Sequence, residues 1–212
     1  MKKQILPLII ALIPILVVIY FYPDLPEKIP GHYNFKGEVD RYDPKWTAFI
    51  TAALGLIIYG VMLFIRKYDP KGRISAMGSK FDNLALWLTI LFSMFSLLII
   101  GSAISKISTE NMFTSLNLFI GILFLILGNY MTSMKPNYFI GIRTPWTLES
   151  EEVWKKTHVL AGRLFFITGF ILVILCFLPF SAEWKNKAFL SLVIVSSVIP
   201  LVYSFFIYKK LG

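Results

Sequence analysis

Few side chains in this 212-residue chain have chemistry to offer, and they gather in two stretches. The first, PGHYNFKGEVDRYDP, sets His32 near Glu38, Asp40 and Asp43. A metal ion needs several such donors converging at a defined spacing. One imidazole among scattered carboxylates, on a Pro- and Gly-rich loop, matches no ligand template of that kind. The stretch reads instead as a polar ledge, in which His32, Asn34, Gly37 and Asp40 receive a ligand or pack on neighbouring elements. Cys176 is the single cysteine, which rules out an intrachain disulfide and a cysteine zinc site. Walker, HExxH and GxSxG patterns are missing. No catalytic residue, metal or cofactor is therefore expected.

The second stretch, residues 137–158, reads NYFIGIRTPWTLESEEVWKKTH and follows Asn129 in GNYM. Asn137, Gly141, Thr144 and Pro145 supply turn chemistry. Arg143 stands among Ile140, Ile142 and Trp146, so backbone carbonyls, a lipid phosphate or a carboxylate are its natural partners. Ser150 is a candidate N-cap, with Glu151 and Glu152 in the first turn and Lys155 and Lys156 four residues on. Val153, Trp154, Thr157, Leu160 and Leu164 recur at helical spacing and predict a short amphipathic helix at the inner surface that runs into the next span. His158, one turn after Trp154, reads as an interfacial hydrogen-bonding residue. The passage is an elbow that sets the angle between two spans, a binding surface, or both.

The elements that must position these residues are long apolar runs. The chain is 57% hydrophobic and 16% charged. The runs Gln4–Tyr22, Trp46–Ile65, Leu84–Ser105, Met112–Met134, Leu164–Ala182 and Ala188–Tyr208 contain no Asp, Glu, Lys, Arg or His. Each is long enough to cross a hydrocarbon core of about 30 Å at about 1.5 Å per helical residue. The expected fold is an all-α polytopic membrane protein with six transmembrane helices. The first run leads into YPDLPEK without a small-residue cleavage site and reads as a retained span rather than a signal peptide. Three segments follow: 1–65 with two spans and a Pro-rich loop at 23–45, 66–111 with a basic loop and the third span, and 112–212 with spans four to six and the motif loop at 135–163.

With six spans, both termini share a face with the loops after spans two and four. That face carries 14 basic and 5 acidic side chains, the other 7 of each, so the whole net charge of +9 lies on one side. The excess of Lys and Arg assigns that face, termini included, to the cytoplasm. The basic balance is thus a topology signal and an attraction to anionic membrane lipids, and direct nucleic-acid binding is not expected. The loop at 23–45 is then outside, its first half held extended by Pro23, Pro26 and Pro30. Ion pumps place ionisable groups within the bilayer, and here only Arg163 stands at the edge of a span. Asn117, Asn129, Pro7, Pro14 and Pro200 keep a small transporter or flippase open as an alternative, and His32 with the outer carboxylates a metal-dependent membrane enzyme.

The ordered run Gly128, Asn129, Met131, Asn137, Gly141–Leu148, Val153, Trp154 resembles the SdpI family of bacterial membrane immunity proteins. The outer loop LPEKIPGHYNFKGEVDRYDPK is similar to a domain of unknown function often joined to that family. The resemblance implies protection against a secreted, membrane-active hydrophobic peptide toxin. It also implies a receptor role, in which a cytosolic transcriptional repressor is held at the membrane. On this topology the outer ledge would meet the toxin. Asn129, Asn137, Gly141, Arg143, Thr144, Pro145, Trp146, Trp154 and His158 would form the inner hinge or docking surface.

Overall fold

Without water in the bilayer core, each apolar run must satisfy its own backbone, and helices do so. The computed structural model describes residues 2–34, 39–105 and 109–211. Six helical segments are long and apolar enough to span a membrane. They are α1 (Lys2–Phe21), α2 with α3 (Ala48–Ala52 and Leu54–Tyr68, together the second span), α4 (Ser79–Ser105), α5 (Thr109–Met131), α7 (Glu151–Phe177) and α8 (Ala182–Leu211); α6 (Pro145–Glu149) is one turn in the inner loop. Pro7, Pro14 and Pro200 lie inside their helices. The second span loosens at Ala53, and beside this break Ser96 of α4 donates a 2.7 Å hydrogen bond to the Thr51 carbonyl.

The helices form two groups. α1, α3 and α4 pack together, α5, α7 and α8 pack together, and the groups meet along α4 and α5. Two apolar cores close the first group. At the outer end Val18, Ala48, Ala52, Ile100 and Ala103 enclose Leu25 and Ile29, which fixes the outer loop to the helices. At the inner end Met62, Ile65, Phe81 and Leu84 enclose Ile74 of the basic loop and Met134 beyond α5.

The second group is held by glycine. On α5 Gly121 and Gly128, and on α7 Gly162 and Gly169, let the two backbones touch. A Cβ added at Gly128 would stand 2.4 Å from the Phe166 amide nitrogen, and one at Gly169 2.6 Å from the Gly121 carbonyl. Small residues at such positions let spanning helices gain dispersion energy in lipid, where the hydrophobic effect offers little.

The outer loop is extended where its prolines require it, and it is also paired. β1 (Lys28–Tyr33) and β2 (Val39–Pro44) form an antiparallel hairpin with register shifts on both sides of His32. Gly31 lies in the strand rather than in a turn. A Cβ there would meet the Asp43 carboxylate at 2.0 Å. Gly37 falls outside the described residues. At the base, Lys45 pairs with Glu27 at 2.9 Å and its amide donates to the Glu27 carbonyl.

Candidate ligand-binding site

The hairpin roofs a cavity of about 780 Å³ between the two helix groups at the outer end. Ligand sites commonly enclose about 300–1,000 Å³ with apolar walls and a few polar groups, and this cavity has that character. Ile50 of α2, Phe95 and Ile99 of α4, Leu116 of α5 and Phe189 and Leu190 of α8 form its greasy wall. Ile50 and Leu190 remain 55% and 49% exposed, so the wall continues onto the lipid-facing surface. Its polar groups are His32, Asn34, Asp40 and Asp43 from the hairpin and the Asn117–Asn186 pair from the helices.

Each polar group has a positioning partner. His32 Nδ1 and Asp40 Oδ1 lie 2.6 Å apart. Both side chains are largely exposed, and such a pair contributes about 0–1 kcal/mol. It links the two strands across the irregular register at the mouth. Arg41 engages Asp43 at 3.1 Å and the Gly31 carbonyl at 3.3 Å. Burial pushes the Tyr33 phenol above its ordinary value, offset in part by a hydrogen bond with Ser102, so the hydroxyl stays neutral. Asn117, buried within α5, donates to Asn186 of α8 at 3.4 Å across the helix seam. Among the described residues, no three His, Cys, Asp or Glu side chains come together as a metal cage would require.

The inner stretch is an interlocked elbow. Asn137 is 2% exposed, and its Oδ1 accepts from the amides of Phe139 (2.8 Å) and Ile140 (2.7 Å) while its Nδ2 donates to the carbonyls of Lys135 (2.9 Å) and Ile140 (3.1 Å). Gly141 follows with φ +109°, a conformation that disfavours any Cβ. Thr144 caps α6 with a capping box that uses Thr147, Pro145 takes the first helical position, and the buried Thr147 hydroxyl donates to the Ile142 carbonyl at 2.8 Å. Ser150 caps α7, accepting from the Val153 amide, as its position in the sequence predicts. Lys156 pairs with Glu152 one turn away, whereas Glu151 reaches across to Arg73 of the basic loop.

The segment after Ser150 does run into span five, but its apolar face packs on protein rather than on headgroups. Val153, Trp154, Thr157 and His158 are all at most 1% exposed. Trp154 Nε1 donates to the Met134 carbonyl at 2.8 Å, and its indole stacks on the His158 ring at 3.9 Å. His158 is therefore buried, not interfacial. Nδ1 donates to the Trp154 carbonyl at 2.8 Å and Nε2 accepts from the Ile142 amide at 3.1 Å, which defines the neutral Nδ1–H tautomer. Trp146 Nε1 donates to Ser204 Oγ of α8 at 2.5 Å. Arg143 is exposed and takes the first of its anticipated partners, the Tyr138 carbonyl. Asn129 is exposed rather than buried near the inner end of α5, where it lines the groove left beside Gly128 and Gly162.

His32, Asn34 and Asp40 thus share one cavity, while Asn137, Gly141, Thr144, Trp146, Trp154 and His158 share one elbow at the opposite end. The cavity's helix wall, Phe95, Ile99, Asn186 and Phe189, was not legible as a site, since it draws on three spans far apart in sequence. The glycine seam did have a signal: a seven-residue spacing in both spans.

Two family models match parts of the chain. The family model for the SdpI/YfhL protein family matches residues 133–207, which covers the elbow, α7 and most of α8. A domain of unknown function, DUF1648, matches residues 9–56, which covers most of the first span, the hairpin and the start of the second span. No solved structure matches the chain. The immunity protein SdpI of Bacillus subtilis (strain 168) is 32% identical over 214 residues, spanning 100% of this chain and 99% of that protein. With its six spans, this chain is a multi-pass protein of the cell membrane and belongs to the SdpI/YfhL protein family.

Proposed function

We propose that this chain is a membrane immunity protein that captures an apolar, membrane-active peptide toxin in the cavity beneath the hairpin, without catalysis. The observation that carries the proposal is the cavity itself: about 780 Å³, apolar on its helix side, polar at its hairpin mouth and continuous with lipid-facing side chains. A peptide already dissolved in the outer leaflet could enter from the side. It would exchange lipid contacts for the Phe95, Ile99 and Phe189 wall, and its backbone would find partners at Asn117, Asn186 and the hairpin. The relative's name, an immunity protein, supports the same reading. The elbow is the surface on which a cytosolic repressor would dock, with Arg143 and Lys71 exposed near Tyr138.

The test is the membrane potential of sensitive cells challenged with a secreted, membrane-active hydrophobic peptide toxin. Cells carrying the wild-type chain should hold their potential. Cells carrying Phe95→Ala/Phe189→Ala should lose it, and cells carrying Arg143→Ala should keep it. Equal collapse with and without the wild-type chain would end the immunity reading. Peptide flux in proteoliposomes would then favour the small-transporter alternative.

A further inference from the structure

The inner ends of α5 and α7 leave a second recess of about 270 Å³, floored by Gly128 and Gly162 and walled by Asn129, Arg163, Phe166 and Ile167. It exists because the glycines bring the backbones together and carry nothing to fill the groove beside the seam. Arg163 lies 12 residues into α7, about 18 Å along the axis from Glu151 at about 1.5 Å per residue. It is exposed, and among the described residues no carboxylate pairs with it. The carboxylates of that face are already engaged: Asp82 by Arg66, Glu151 by Arg73, Glu152 by Lys156, Glu149 by the Tyr208 hydroxyl, and Asp69 by the Ile74 amide. With no described carboxylate paired to it, the Arg163 guanidinium is available to an anion from outside the protein.

We propose that this recess binds an anionic phospholipid of the inner leaflet. The Arg163 guanidinium offers a planar fork suited to a phosphate, and the exposed Asn129 amide stands on the facing helix. Above them Phe166, Ile167 and Phe170, 48%, 57% and 56% exposed, lie along one face of α7 as a bed for an acyl chain. Cationic pockets between spanning helices on the cytoplasmic side recognise acidic headgroups in this manner.

Native mass spectrometry of the full chain in detergent, titrated with phosphatidylglycerol and phosphatidylcholine of identical acyl chains, tests the site. The wild-type chain should bind phosphatidylglycerol about fivefold more tightly, the yield of one near-surface cationic contact. Arg163→Gln should erase the preference and Asn129→Leu should weaken it, whereas Lys155→Gln, outside the recess, should leave it intact. Arg163 and Asn129 are exposed, so neither change endangers the helix seam. Equal affinity for the two lipids, or a preference that survives Arg163→Gln, overturns the proposal. So does displacement of the lipid by millimolar inorganic phosphate, which would make the recess a site for free anion.

Discussion

Both nitrogens of His158 are committed inside the protein, one to the Trp154 carbonyl and one to the Ile142 amide. The ring is thereby removed from proton transfer and made part of the elbow's geometry. Gly141 is the residue that permits this. A Cβ there would stand 2.3 Å from His158 Nε2, and the backbone φ of +109° is itself costly for any other residue. We expect Gly141→Ala to lower stability by about 2–4 kcal/mol, the strain of a disfavoured φ plus a lost buried hydrogen bond. Thermal unfolding in detergent, followed by near-ultraviolet dichroism of the stacked Trp154, measures it. A change below about 0.5 kcal/mol would mean that the His158 contact is not maintained in solution. Sequence alone pointed to Gly141, His158 and Trp154 as a set, but an imidazole one turn from a tryptophan at a span's edge looks the same whether it faces headgroups or protein. The difference lies in Ile142, which reaches His158 only after the Asn137 turn has folded back.

At the scale of elements, the α5–α7 seam makes the sharpest distinction between glycines. Gly128→Ala would press a methyl group onto the Phe166 amide, backbone that cannot rotate away, while Gly101 on α4 has no atom within 4 Å of an added Cβ. Gly128→Ala should therefore destabilise the protein. Gly101→Ala should stabilise it by about 0.5–1 kcal/mol through restricted backbone freedom. Unfolding of both variants in mixed micelles gives the comparison, and a neutral Gly128→Ala would show the seam to be looser than described. The spans themselves were legible, because charge-free runs of about 20 residues have few alternatives in a membrane. The hairpin was half legible. Its prolines announced extension, but pairing of Val39–Pro44 with Lys28–Tyr33 depends on Leu25 and Ile29 finding the outer core, a long-range event without a local pattern.

For the molecule as a whole, the notable arrangement is that cavity and elbow share the same helices. α8 carries Asn186 and Phe189 at the cavity and Ser204 against Trp146 at the elbow, and α5 joins Leu116 and Asn117 outside to Gly128 inside. The Arg73–Glu151 pair ties the inner ends of the two helix groups, whereas at the outer end the cavity lies between them. A ligand that fills the cavity therefore touches both groups at once. In a Cys176→Ser background, Leu116→Cys should react with a small maleimide in membranes and be protected by saturating toxin peptide. Tyr138→Cys, exposed at the elbow, should react at the same rate with or without it. Protection of Leu116→Cys alone places the peptide in the cavity. Slowing at Tyr138→Cys as well would show that α5 and α8 carry the binding event to the inner face, the property a receptor needs. Unchanged labelling at both positions would move the toxin contact elsewhere, onto the lipid-facing flanks of the spans.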